Sequence, residues 1–278
     1  MNGDKTAVIT GATSGIGSVV AEHLVKSGYS LYVLGRSEAK LNHTIHRLSS
    51  LNPNSRVEAI LCELSSFDAV RKACNELKAS TASIDLLILN AGLWNFSFRE
   101  TENRIEETLQ VNLLSQVLIL TEVMDLIPKN KGSKVIFTIS GLHQGTINFK
   151  DIELRATFSG FKAYRQSKLG LILLTRWLAI QPEYSGISFY GVHPGMVNTQ
   201  IGRNAGWLSR SIFRLLGKSK TKGAQTHIYL IDRETTELKS GECYADGKVL
   251  KTTAYSCKME EAKRLWDTIH EYLKISGT

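Results

Sequence analysis

Short, continuously apolar runs recur along this chain, and each is followed by a segment with helical spacing. Thr6–Thr10, Leu31–Leu34, Val57–Cys62, Leu86–Leu89, Val135–Ile139 and Ile187–Val192 read as strands. Ser14–Lys26, Ser37–Ser50, Phe67–Ala79, Glu102–Leu126, Phe161–Ile180 and Met259–Leu273 read as helices. A strand exposed on one face alternates apolar with polar residues; a strand apolar throughout is covered on both faces. Strand–helix alternation with such strands predicts an α/β fold, a doubly wound Rossmann domain with a central parallel sheet and helices on both faces. No internal repeat, low-complexity tract or linker interrupts the pattern, so residues 1–278 are expected to form one domain.

Composition excludes several classes. The 278 residues are 42% hydrophobic and 22% charged, which supplies enough apolar surface to fold. No apolar stretch approaches the roughly 18 residues of a membrane span. The segment Met1–Lys5 lacks the apolar core of a signal peptide. Cys62, Cys74, Cys243 and Cys257 show no paired metal-ligand spacing, so no metal site is expected. A reducing, cytoplasmic setting fits.

The turn Thr10-Gly11-Ala12-Thr13-Ser14-Gly15-Ile16-Gly17 lies between the first strand and the first helix. Glycines there let the backbone turn tightly and bring N–H groups to a pyrophosphate at the helix N-terminus. The second strand ends Leu34-Gly35-Arg36-Ser37. An acidic residue at that point accepts from ribose hydroxyls and favours NAD. Arg36 instead pairs with a 2′-phosphate, so the expected cofactor is NADP(H); a solvated arginine at a helix start is the plainer alternative.

Tyr164 and Lys168 are four residues apart in an expected helix and share a face. Moving a proton to or from an alcohol oxygen needs a group tuned toward neutral pH. A phenol titrates near 10, and lowering it by ~2–3 units takes about 3–4 kcal/mol of differential stabilisation. A nearby ammonium and a positive nicotinamide act with the required sign. Alone, such a pair is usually a surface tyrosine and lysine at chance spacing.

Taken together, these motifs resemble the short-chain dehydrogenase/reductase family, and within it the retinol dehydrogenase-like branch. The likeness rests on TGATSGIG at Thr10–Gly17, NAG at Asn90–Gly92, Asn112, Ser140, YRQSK at Tyr164–Lys168 and HPGMVNT at His193–Thr199. The branch itself is marked by Gly145–Phe149 and by YADGKV followed by RLW. The resemblance implies that Tyr164 is the general acid/base, Lys168 lowers its pKa and holds the nicotinamide ribose, Ser140 orients the substrate oxygen, and Asn112 supports a proton relay. It also implies cofactor contacts from Gly11, Thr13, Ser14, Gly15, Ile16, Gly17, Arg36, Ser37, Glu63, Leu64, Asn90, Ala91, Gly92, Tyr164, Lys168, Pro194, Gly195, Val197 and Thr199. Glu63 stands where the family usually has Asp, and Leu169-Gly170 follows the lysine where the branch has Leu-Ala-Asn. The apolar leader of many retinol dehydrogenases has no counterpart here, so microsomal anchoring is not carried over.

The implied activity interconverts a lipophilic alcohol and its aldehyde or ketone: retinoid, steroid, fatty or aromatic carbonyl. Reduction is the expected direction, because cellular NADPH is largely reduced. The alternative is an NADP(H)-binding regulatory protein with vestigial catalysis. A substrate lid is expected over residues 200–222, where Trp207, Leu208, Ile212, Phe213, Leu215 and Leu216 suit an apolar wall. A homodimer is expected by family habit through the helices near 102–126 and 161–180, with Trp177 and Leu173 either there or in the core.

The net charge of +8 invites a nucleic-acid or membrane partner. Between Tyr184 and Ile231 there is no Asp or Glu, while Arg203, Arg210, Arg214, Lys218, Lys220 and Lys222 are all basic. Without them the chain is nearly neutral, which weakens the case for nucleic acid. Solvated side chains are the favoured reading of this segment, and peripheral contact with an anionic membrane through 203–222 is the sharper one.

Overall fold

The computed structural model describes residues 5–129, 132–195 and 219–275. Strands β1 (Thr6–Thr10), β2 (Ser30–Gly35), β3 (Val57–Leu61), β4 (Leu86–Leu89), β5 (Ser133–Thr138), β6 (Ile187–His193), β7 (Cys243–Ala245) and β8 (Lys248–Val249) are laid down in that chain order. Among the described residues they form one sheet in the order β3-β2-β1-β4-β5-β6-β7-β8. The pairings from β3 through β7 are parallel, and β8 returns antiparallel to β7. The chain therefore leaves β1 in one direction and, after β3, crosses back to β4 on the other side. That reversal is the switch point beside which open α/β sheets bind ligands.

Burial explains why the strands read as uninterrupted apolar runs. All five residues of β1 are buried. Ala7 and Ile9 join one apolar core, and Val8 joins the other. In β5, Val135 and Phe137 face the side to which Val8 points, while Ile136 faces the opposite side. Successive side chains of a strand point to opposite faces, so a sheet covered twice needs apolar residues at every position. The layer beneath one face is α1 (Gly15–Lys26), α2 (Glu38–Ser49) and α7 (Lys220–Asp232). The other holds α3 (Phe67–Ser80), α5 (Ser115–Glu122), α6 (Gly160–Ala179) and α8 (Met259–Ile275).

Four elements depart from the expectation. The long helix over 102–126 is broken into parts. Arg104 takes a positive φ of 57°, and the Glu106 carboxylate accepts from the Thr108 and Leu109 N–H groups, so the helix begins only at Glu107. After α4 (Glu107–Leu109) comes a π-helical stretch, Gln110–Leu114, before α5. α7 was not legible because its buried side is largely small or polar: Gly223, Ala224, Thr226 and His227 besides Leu230 and Ile231. β7 and β8 are three and two residues long, too short for a period to register.

Helix α6 lies inside the chain. Leu173 is fully buried, and Ala262, Leu265 and Ile269 of α8 belong to the same core cluster. Leu173 is thus a core residue, and Trp177 packs on the core partly buried. No helix among the described residues is long and apolar enough to cross a membrane.

Candidate active site

The glycine turn connects β1 to α1. Gly11 and Gly15 have φ of 72° and 60°, a region that side chains other than glycine rarely adopt. Gly17 is required for a different reason. A Cβ there would lie 2.4 Å from the Gly11 carbonyl oxygen and 2.7 Å from Asn90 Nδ2. The first turn of α1 thus sits directly on the turn and on β4. Gly17→Ala is expected to cost about 1–3 kcal/mol through this overpacking, read as a lower urea midpoint; an unchanged midpoint would contradict it.

The start of α1 carries features that suit an anion. Its N-cap, Ser14, is exposed and makes no side-chain cap bond, and no acidic residue stands in the first turn. The N–H groups of a helix's first turn have no partner within the helix. Ile16 and Gly17 are buried behind them, and Thr13 lies beside Gly35 at the end of β2. Arg36 is exposed there, followed by Ser37 as N-cap of α2. At the end of β3, Glu63 turns its Oε1 to accept from the Ser65 N–H at 3.1 Å, and Leu64 is buried.

Asn90 fastens the end of β4 to the glycine turn. Its Nδ2 donates to the Thr10 carbonyl at 3.0 Å, and the Thr10 hydroxyl accepts from the N–H groups of Asn90 and Ala91, each at 2.9 Å. Gln116 holds the Ala91 carbonyl at 3.2 Å. Thr10 opens the glycine motif but carried no signal for this bracing role, and Gln116 carried none at all, being an ordinary helix amide. Gly92 forms a cradle: a Cβ there would lie 3.2 Å from Asn112 Oδ1 and 3.4 Å from Lys168 Nζ.

Asn112 stands in the middle of the π-helical stretch and is fully buried. Its amide grips Leu93 at both ends, accepting from the Leu93 N–H at 2.7 Å and donating to the Leu93 carbonyl at 2.9 Å. The same amide donates to the Ser167 hydroxyl at 3.1 Å. The widened turn thereby ties the loop following β4 to α6.

Ser140 lies just past β5 and Tyr164 in the second turn of α6. The Ser140 hydroxyl stands close enough to the phenol to act on its titration, and the phenol is buried. Burial pushes the Tyr164 hydroxyl above its ordinary value, and the Ser140 hydroxyl pulls the other way. The lowering expected at Tyr164 is therefore absent from this state of the site. Lys168 is also buried; its ammonium donates to the Thr138 carbonyl at 2.7 Å and lies 5.8 Å from the Tyr164 ring centre. Burial pulls its pKa down to about 8. Thr138, which the sequence did not mark, thus sets the direction in which Lys168 points.

The residues 145–160 pack beside α6 rather than standing free. Gln166 holds them twice, accepting from the Asn148 N–H at 2.8 Å and donating to the Ile152 carbonyl at 2.7 Å. Pro194 and Gly195 follow β6, with Gly195 at φ 80°. Val197, Thr199 and residues 200–218 of the expected lid lie outside the described residues. Lys220 and Lys222 are exposed in the first turn of α7. No group of three or more His, Cys, Asp or Glu able to hold a metal is found among the described residues.

A twice-covered parallel sheet with a glycine turn after its first strand defines a nucleotide-binding α/β protein. Comparison with known proteins narrows this. The chain belongs to the short-chain dehydrogenase family, whose model matches residues 5–206. It is 30% identical to mouse retinol dehydrogenase 14 over 95% of this chain and 84% of that one. Mouse retinol dehydrogenase 12 is also 30% identical, covering 98% of this chain and 87% of its own length. Human polyprenol dehydrogenase is 29% identical, covering 95% and 83%. These relatives place the chain in the retinol dehydrogenase-like branch. Among solved structures, a Burkholderia cenocepacia short-chain dehydrogenase in complex with NADP superposes with TM-score 0.70 at 23% identity, over 87% of this chain and 96% of that chain. A Thermococcus sibiricus alcohol dehydrogenase complexed with 5-hydroxy-NADP gives TM-score 0.65 at 24% identity, over 83% and 92%.

Proposed function

We propose that this protein is an NADP(H)-dependent oxidoreductase that interconverts a lipophilic alcohol and its carbonyl compound. The observation that carries the reading is the gathering of Ser140, the buried Tyr164 phenol and the Lys168 ammonium, 5.8 Å from the phenol ring, at the C-terminal edge of the sheet. Relatives named for retinol and polyprenol support a long apolar substrate.

The residues fit a dinucleotide. Gly11, Thr13, Ser14, Gly15, Ile16 and Gly17 form the turn and the uncapped start of α1 that would receive a pyrophosphate. Arg36 and Ser37 meet the 2′-phosphate, Glu63 and Leu64 the adenine, and Asn90, Ala91 and Gly92 border the ribose beside Lys168. Pro194 and Gly195 would border the nicotinamide side, and the family resemblance assigns Val197 and Thr199 to it as well. When bound, NADP(H) gives or takes a hydride at the substrate carbon.

The chain's own residues handle the oxygen. The Ser140 hydroxyl holds the substrate oxygen against Tyr164. The phenol, kept neutral by burial, donates its proton as a carbonyl becomes an alcohol and takes one back in the reverse direction. Lys168 holds the ribose and stabilises the phenolate that remains after donation. Asn112 keeps the Leu93 carbonyl and the Ser167 hydroxyl in place for proton return from solvent.

A screen of retinals, polyprenals, steroid ketones and aromatic aldehydes, following NADPH oxidation, tests this. Turnover of at least one apolar carbonyl is expected, and turnover of none would overturn it. Arg36→Asp tests the cofactor. Hydrogen bonds to charged groups contribute about 1.5–3 kcal/mol, so the preference for NADPH over NADH should fall ~10–100-fold. An unchanged ratio would remove Arg36 from the 2′-phosphate.

A further inference from the structure

We propose that Trp94 is a positioning residue for Tyr164: its indole lies flat on the phenol and fixes the plane in which the hydroxyl meets Ser140 and the substrate. This rests on the reading of Tyr164 as the proton carrier. The two ring centres are 4.6 Å apart and the planes differ by 11°. The outer face of the indole is covered in turn by Phe96, with centres 5.3 Å apart and planes 13° apart. Phe161 closes one side at 6.0 Å. Phe96 and Phe161 are exposed, whereas Trp94 is 8% exposed, so the stack runs from solvent to the buried phenol.

A tyrosine's χ2 torsion is broad, so rotamer preference alone leaves the ring plane loosely set. The oxygen sits on the ring axis and does not move as the ring turns. The O–H bond and the in-plane lone pair do move, because conjugation keeps the hydroxyl in the plane of the ring. A stacked neighbour sets that plane. It also resists tilting of the axis and keeps water off one face of the phenol.

Such a role requires that Trp94 itself be held, and its segment is fixed at three points. Leu93 is gripped at both its N–H and its carbonyl by Asn112. The Asn95 amide donates to Glu107 at 2.6 Å. The Asn95 carbonyl lies on the first turn of α6, where a Cβ on Gly160 would come within 1.9 Å of its oxygen. Only glycine allows that approach. The segment bearing the indole is thereby registered against the helix bearing the phenol, four residues from Tyr164.

Trp94→Phe and Trp94→Leu separate shape from bulk, since both fill the site with an apolar side chain but only phenylalanine offers a flat ring. They are assayed in the full-length protein with saturating NADPH, alongside Tyr164→Phe. The leucine variant is expected to lose kcat by ~10–100-fold, the scale of a small misplacement of reacting groups, with KM and NADPH affinity unchanged. The phenylalanine variant is expected to recover most of that loss. Equal rates in both variants, a rise in KM at unchanged kcat, or loss of NADPH binding in the leucine variant would overturn the positioning role. Activity surviving in Tyr164→Phe would instead overturn the reading beneath it.

Discussion

Tyr164→Phe is expected to lower turnover by about 10²–10⁴-fold, the usual range for a positioned acid/base group, while NADPH affinity stays unchanged. The substitution removes one hydroxyl and keeps the ring, so the stack on Trp94 and the burial of the site persist. What disappears is the phenolic proton beside Ser140. Ser140 cannot replace it: a serine hydroxyl positions an oxygen but is too weak an acid to deliver a proton near neutral pH. Lys168 cannot replace it either, because its ammonium is directed at the Thr138 carbonyl. Steady-state kinetics with a competent carbonyl and an NADPH titration check both halves. A variant with wild-type turnover would leave the chain as a cofactor-binding regulator.

The burial of Tyr164 bears on both halves of the proposed reaction. A phenol raised by desolvation is a poor base and a stable acid. That state suits donation to a carbonyl. Oxidation needs the phenolate, and hence a positive charge nearby. Lys168, pulled down to about 8 by its own burial, supplies that charge most fully below that pH.

Much of the sheet was legible because the rule that produced it is local. A strand such as Leu86–Leu89 is buried on both faces and is bounded by polar turns, so its length can be read from composition. The helix around Asn112 was not legible, because its breaks come from tertiary partners. Glu106 starts α4 late through its own side chain, and the wide turn at Gln110–Leu114 is stabilised by what Asn112 and Gln116 reach across the fold. No periodicity in a single segment encodes those contacts. α7 was missed for the opposite reason: its buried face is small and polar where it meets α1, so the apolar stripe that marks a helix is absent.

The proposed site divides in the same way. Tyr164, Lys168 and the glycine turn carry their chemistry in residue type and spacing, and they can be picked from the chain. Trp94 and Thr138 act only through where the fold places them. An indole two residues past a glycine reads as any apolar residue until its ring is seen on the phenol. A threonine at the end of β5 reads as strand propensity until its carbonyl is seen receiving the lysine.

His227 gives the second large prediction, in acid stability. It is fully buried on α7, and its Nε2 is 2.9 Å from the Thr138 hydroxyl. Among the described residues Nδ1 has no hydrogen-bond partner and no carboxylate pairs with the ring. Burial pulls its pKa down to about 3 from 6.5. The folded protein thus holds this ring neutral, whereas the unfolded chain protonates it below about pH 6.5. The unfolded state then binds the extra proton, and acid favours it. The stability tied to the neutral ring is complete above pH 6.5 and is lost as pH falls toward 3, at up to about 1.4 kcal/mol per pH unit. By pH 4 the loss approaches ~3 kcal/mol, a large share of the stability of a typical domain. His227→Gln keeps a polar group facing Thr138 but cannot be protonated. Urea midpoints of the two proteins between pH 7 and 4 should therefore diverge, with the variant losing less. Subtracting one curve from the other cancels every group they share. Parallel curves would mean that the ring gains a proton without unfolding, which the apolar residues around it, Ala224, Leu230 and Ile231, give it no means to solvate.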